Sequence, residues 1–191
     1  MAIVTPRSAS ELLTYERYMA EGEIKRRYDI VDGVRSFMPS PTWRHQRIAD
    51  KITRLLLAYE EASGAGLALS APFDVLIRRD PLRTRQPDVL FVTKAQLERG
   101  GGIPESGPIE VAPELVVEII SDSETERILG DKITDYIAIG VKEAWLVRPA
   151  QRTVEVLSLT PGSDAIVYDE TQTLQSLTFS DLTAAVADFF K

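Results

Sequence analysis

The 191 residues are 44% hydrophobic and 27% charged, enough for one domain with its own core, and no apolar run approaches the roughly 20 residues of a membrane span. With no cysteine, the chain can form no disulfide and offers no thiolate nucleophile or thiolate metal site. A formal net charge of −7 excludes nucleic-acid binding by bulk charge alone, so any such role needs a local basic patch.

In chain order, Met1-Ala2-Ile3-Val4-Thr5-Pro6-Arg7 lacks the apolar core of a signal peptide, and together with the absence of cysteine this makes a cytoplasmic location the expectation. Residues 8–21 have helical spacing, with Ser10 as candidate cap and Leu12, Leu13, Tyr15 and Tyr18 as apolar contacts. Residues 26–31 and 34–38 flank Asp32-Gly33, a strong hairpin signal. Pro39-Ser40-Pro41 breaks the chain, and a long helix is expected from Thr42 to Ala62, before Ser63-Gly64-Ala65-Gly66. Strands are predicted at 67–71, 73–78 and 88–92, and a short helix at 94–99. The Gly/Pro-rich stretch from Gly100 to Pro113 leads into Leu115-Val116-Val117-Glu118-Ile119-Ile120. A helix over 124–139 stops at Gly140, strands follow at 143–148, 152–159 and 164–168, and a helix at 180–190 closes the chain. The pattern predicts one mixed α/β domain over residues 1–191 with a hairpin-rich sheet, not a regular doubly wound fold.

Two helices carry charge in informative places. At about 100° per residue, Ile128, Tyr136, Leu129, Ile133 and Ile137 form the core-facing arc of the helix at 124–139, with Asp131, Thr134 and Asp135 outside it. Lys132 falls inside that arc. It either snorkels to the edge or brings its ammonium to a buried anion. In the helix at 42–62, Ile48, Ile52, Leu55, Leu56 and Tyr59 define the core face. Arg44, Arg47, Lys51 and Arg54 form a separate basic stripe, which is either solvated or suited to a phosphate backbone. His45 projects into the apolar arc at the first turn, either as a core or capping residue or at the edge of a site.

Glu118 is the anomaly of the chain. A strand apolar at every other position is expected to be buried on both faces, where an ionised carboxylate is costly unless a cation or donors meet it. Asp74, in Phe73-Asp74-Val75, and Asp88, in Gln86-Pro87-Asp88-Val89, also lie at or within apolar strands. Such oxygen ligands suit Mg²⁺ or Mn²⁺, typically held by one or two carboxylates plus waters and substrate phosphate. A Glu118–Lys132 ion pair without chemistry fits the same pattern.

Pro87-Asp88 followed by Glu118 in a hydrophobic strand resembles the PD-(D/E)XK nuclease superfamily. More narrowly, the chain resembles the Uma family of "putative restriction endonucleases". The likeness includes Asp32-Gly33, Ser40-Pro41 with His45-Gln46, Phe73-Asp74-Val75, Gln86-Pro87-Asp88-Val89 and Leu115 to Ser121. It continues through Asp131-Lys132, Tyr136 and Gly140 to Val147. The superfamily's usual lysine stands two residues after the acid, where this chain has Ile120; similar families supply it from the next helix, and Lys132 matches that position. Ala144 stands where the family usually has an aromatic residue, and Arg148 where it often has an acid.

The resemblance implies an α/β, restriction-endonuclease-like mixed central sheet flanked by helices, with an N-terminal hairpin extension. It implies Mg²⁺- or Mn²⁺-dependent phosphodiester hydrolysis, with Asp88, Glu118 and Lys132 catalytic and Asp88 and Glu118 as metal carboxylates; Asp74 is a candidate outer-shell or second-metal ligand. The Ile119 carbonyl joins that set as a candidate ligand. DNA is the expected partner, contacted by Arg44, His45, Gln46, Arg47, Lys51 and Arg54. A nuclease-like domain that binds nucleic acid or protein without cutting is the alternative. No membrane partner is expected, and an edge strand among 143–168 is the candidate surface for a homodimer.

Overall fold

The structure, a computed structural model, describes residues 12–121, 125–160, 162 and 165–191. Helix α1 (Tyr15–Ala20) starts at Thr14, whose hydroxyl accepts Arg17 N. It is shorter than the expected 8–21, and Ser10 lies outside the described residues. Strands β1 (Tyr28–Val31) and β2 (Val34–Phe37) form the expected hairpin. Asp32 and Gly33 both have positive φ (50° and 76°), the backbone that a two-residue turn of matching twist requires. Helix α2 (Trp43–Ser63) is capped by Thr42.

Strands β3 (Gly66–Ser70), β4 (Val75–Arg78), β5 (Arg83–Arg85) and β6 (Val89–Thr93) follow, then α3 (Lys94–Arg99) and β7 (Leu115–Ile119). Helix α4 (Glu126–Ile139) precedes β8 (Glu143–Arg148), β9 (Thr153–Ser158) and β10 (Ala165–Asp169).

Among the described residues, six strands form the main sheet in the order β10-β9-β8-β7-β6-β3. Every neighbouring pair is antiparallel except β7–β8, which is parallel. This is the expected mixed central sheet flanked by helices. On one face, Ile48, Ile52 and Leu56 of α2 pack with Phe91, Val117, Trp145 and Phe189. On the other, Tyr136 of α4 packs with Leu90, Val116 and Ala144.

The N-terminal hairpin is more than an extension. It joins β5 and β4 in a four-stranded antiparallel sheet, β2-β1-β5-β4. Strand β5, Arg-Thr-Arg, carries no apolar alternation, so no strand was expected there. Its arginines are held by buried acids instead.

The C-terminus also departs from expectation. The helix expected at 180–190 is β12 (Thr183–Ala185), paired with β11 (Thr173–Gln175), followed by a 3₁₀ turn over Val186–Phe190. Leu182, Val186 and Phe189 have helical spacing and are buried, but pairing with β11 takes the backbone hydrogen bonds. Among the described residues no helix is long and apolar enough to cross a membrane.

Candidate active site

Glu118 lies in β7 with only 2% of its surface exposed. Side chains alternate along a strand, so Leu115, Val117 and Ile119 join the cluster under α2, whereas Val116 joins the one under α4. Glu118 shares the face of Val116 and meets α4. Lys132 Nζ donates to its Oε2 at 2.8 Å, and the Tyr136 hydroxyl donates to its Oε1 at 2.5 Å. The two donors stand four residues apart, so one face of α4 presents both. Thr125 caps the start of α4, and Gly140, at φ 92°, ends it in the left-handed conformation.

Asp88 sits at the head of β6 and is equally enclosed. Its Oδ2 accepts Ile119 N at 2.7 Å and lies 3.3 Å from His45 Nε2, and its Oδ1 accepts Arg27 Nη1 at 2.5 Å. His45 is set in the first turn of α2 by Thr42, whose Oγ1 accepts His45 N. Arg27 stands just before β1 and also donates from Nη2 to the Gln86 carbonyl at 2.8 Å. Arg27, His45, Gln46, Asp50 and Asp88 line a groove of about 210 Å³.

These surroundings push the two carboxylates apart. Burial, the largest influence, raises Glu118 to about 7; Lys132 opposes the rise and the charge of Asp88 adds to it. Burial also works against ionised Asp88, but the His45 hydrogen bond, the Arg27 guanidinium and the Ile119 N–H together hold it below its ordinary value. Burial and then Glu118 raise the Tyr136 hydroxyl well above the ordinary tyrosine range, so it stays a neutral donor. One acid held ionised beside another that titrates near neutrality is an arrangement suited to acid–base or metal chemistry.

The other expected site residues do not all gather here. Asp74 accepts from the hydroxyls of Tyr18 and Tyr28, at 2.8 and 2.7 Å, and from Gln86 Nε2 at 3.2 Å. It lines a separate cavity of about 330 Å³. Among the described residues no three His, Asp or Glu side chains are grouped to hold a metal.

Helix α2 divides the expected DNA contacts. His45, Gln46 and Asp50 line the groove, while Arg44, Arg47, Lys51 and Arg54 do not, although Arg54 lies only one turn from Asp50. Arg44 donates to the Pro149 carbonyl at 2.5 Å and Arg54 pairs with Asp50 at 3.1 Å.

Helix α4 is rotated from the expected arc. Ile137 is 52% exposed, while Asp135 is buried. Arg85 bonds Asp135 Oδ2 through Nε at 2.7 Å and Asp29 Oδ2 through Nη1 at 2.8 Å, and Arg83 bonds Asp135 Oδ1 at 2.7 Å. These pairs fasten α4 to the second sheet. Hydrophobic periodicity has no means of signalling a buried charge network, and Arg27 has no distinguishing neighbour in Arg26-Arg27-Tyr28.

The sequence profile of the Uma2 family, described as "Putative restriction endonuclease", matches residues 11–189. The chain belongs to the Uma2 family. A solved structure, described as a "putative nuclease belonging to DUF820 from Anabaena variabilis ATCC 29413", superposes with a TM-score of 0.75 at 18% identity. It covers 93% of the Uma2 chain and 97% of its own, a likeness that shows the fold. No curated protein matches the sequence.

In this Uma2 chain the donor set fits a hard divalent cation. Asp88 and Glu118 offer only oxygen, and one or two carboxylates with waters and substrate phosphate is the usual Mg²⁺ complement. Burial and, after it, the charge of Asp88 raise Glu118, and a cation would offset both. Asp88 and Glu118 would hold it.

Without divalent metal, stability is expected to fall as pH rises from about 4.5 to about 7. A glutamate raised in the folded state contributes stability that is complete below its unfolded value and lost through its folded one. At about 1.4 kcal/mol per unit, the loss is roughly 3.5 kcal/mol. Asp88, shifted the other way, acts only below its ordinary 3.8. Urea denaturation from pH 5 to 8 measures the slope; Glu118→Gln should flatten it, and an equal slope in that variant refutes the assignment.

Proposed function

We propose that the chain is a divalent-metal-dependent nuclease that hydrolyses phosphodiester bonds of DNA. The observation that carries this reading is Lys132 Nζ at 2.8 Å from Glu118, supplied from α4 where Ile120 leaves no lysine on the strand. Mg²⁺ or Mn²⁺, when bound, supplies Lewis acidity at a phosphoryl oxygen. Asp88 and Glu118 are its carboxylates. Lys132 orients the attacking water or stabilises the negative charge that develops in the transition state. Tyr136 holds the Glu118 carboxylate in its orientation. Asp74, turned into the neighbouring cavity, acts at most through Gln86 rather than as a third ligand in the same cluster.

His45 and Gln46 contact DNA at the groove. Away from the groove, the cations at 44, 47 and 51 reach a backbone that wraps past the helix; Arg54, paired with Asp50, stands nearer the groove. Plasmid nicking with Mg²⁺ or Mn²⁺ tests the assignment. Activity should vanish with chelator and fall at least about a hundredfold in Glu118→Ala and Lys132→Ala. Equal activity in wild type and variants would sink it.

The contacts that already hold both carboxylates favour one other reading, a nuclease-like domain that binds without cutting. Calorimetric titration with Mn²⁺ separates the two, since such a domain has no binding that depends on Asp88 and Glu118.

A further inference from the structure

Arg27 is among the groove-lining residues, and its guanidinium is spent on the protein itself. Nη1 lies 2.5 Å from Asp88 Oδ1 and Nη2 lies 2.8 Å from the Gln86 carbonyl. Nε is buried without a partner among the described residues. The side chain keeps 19% of its surface exposed against 4% for Asp88, so the arginine is on the groove side of the pair. It stands one residue before β1, where its carbonyl accepts Met38 N at 3.0 Å, so any displacement is of the side chain alone.

A metal ligand needs its lone pairs. As long as Arg27 holds Oδ1, Asp88 presents a neutralised, hydrogen-bonded oxygen to any incoming cation. A divalent ion on Asp88 also places like charge against the guanidinium, and neither is screened well in a site this enclosed. The two therefore compete for the carboxylate. The arginine that gives way is already in the groove, with a planar fork of donors matched to two phosphate oxygens.

We propose that Arg27 is a phosphate-binding residue held in reserve by Asp88: a divalent cation displaces it from the carboxylate, and it then takes the phosphodiester of the substrate. This rests on the metal-dependent reading above and adds to it a residue and a coupling. Metal and phosphodiester each favour the displaced arginine, so each strengthens the binding of the other.

The test measures two affinities in wild type and in Arg27→Gln, with Arg27→Lys as a second variant and thermal melting to confirm folding. Mn²⁺ alone is titrated by calorimetry. A fluorescein-labelled duplex oligonucleotide is then titrated at saturating Mn²⁺, with anisotropy read before turnover. Removing the guanidinium should tighten Mn²⁺ binding and weaken duplex binding, each on the order of tenfold. Arg27→Lys, which keeps the charge but not the fork, should fall between.

The opposed signs distinguish this role from a structural one, which would weaken both. If both affinities fall, if neither moves, or if only one moves, the proposal is overturned while the metal reading stands, provided that wild-type Mn²⁺ binding is lost in Asp88→Asn. If no variant shows Asp88-dependent Mn²⁺ binding, both fail together.

Discussion

Lys132→Met is expected to slow cleavage severely and to make stability depend more steeply on pH. Methionine keeps the length and apolar stem of lysine but leaves the 2% exposed Glu118 facing no ammonium. Catalytically, the loss of a positioned cation should lower the nicking rate by about a hundred- to a thousandfold.

The thermodynamic cost depends on protonation. Glu118 already titrates at about 7 with Lys132 opposing the rise, so without Lys132 it moves higher. Near pH 5 the glutamate is neutral in the variant and the cost is small. At pH 8 the cost approaches the roughly 3–5 kcal/mol of a buried pair stripped of one partner. Glu118→Gln combined with Lys132→Met removes both charges and should recover most of the stability while remaining inactive. Urea denaturation at the two pH values, alongside the nicking assay, reads all three expectations. Wild-type cleavage by Lys132→Met, or an equal stability loss at both pH values, refutes the role given to this lysine.

The largest purely structural effect is expected at Asp135, which touches neither Asp88 nor Glu118. Its carboxylate receives Arg85 from Nε and Nη2, both at 2.7 Å, and Arg83 from Nη1 at 2.7 Å. Arg85 and Asp135 are nearly inaccessible, so water cannot replace a lost partner. Asp135→Ala strands part of that charge at a cost of roughly 3–5 kcal/mol. In a domain of this size that lowers the melting temperature by roughly 10 °C. Asp131→Ala is the control: Asp131 is 56% exposed and pairs with Arg127 at 3.4 Å across one turn of the same helix, an interaction worth less than about 1 kcal/mol. Equal melting temperatures for the two variants would show that the Asp135 network contributes nothing.

The same network explains where the sequence reading of α4 stopped short. Apolar periodicity placed Lys132 and Tyr136 on the core side, and they are there. It also placed Ile137 inside and Asp135 outside, and the helix is turned toward Asp135 instead. Two arginines on β5, a strand with no hydrophobic pattern, form the pairs that hold it so. The C-terminal segment fails in a related way: which residues are buried was legible, but whether a helix or a β11–β12 pair satisfies their backbone was not. That choice belongs to a partner strand eight or more residues away.

By itself the sequence determined that Glu118 is a buried carboxylate in a wholly apolar strand, that Asp88 opens a second such strand, and that Lys132 lies on the inward face of the next helix. Hydrophobic spacing is local, and it carries this information directly. Only the tertiary structure decided which charges meet. It put Lys132 and Tyr136 on Glu118, Arg27 and His45 on Asp88, and Asp74 in another cavity, and it left the basic stripe of α2 out of the groove lining. Polar partners are chosen by position in space. Arg27 and Asp88 are 61 residues apart in the chain, and no spacing rule spans that distance.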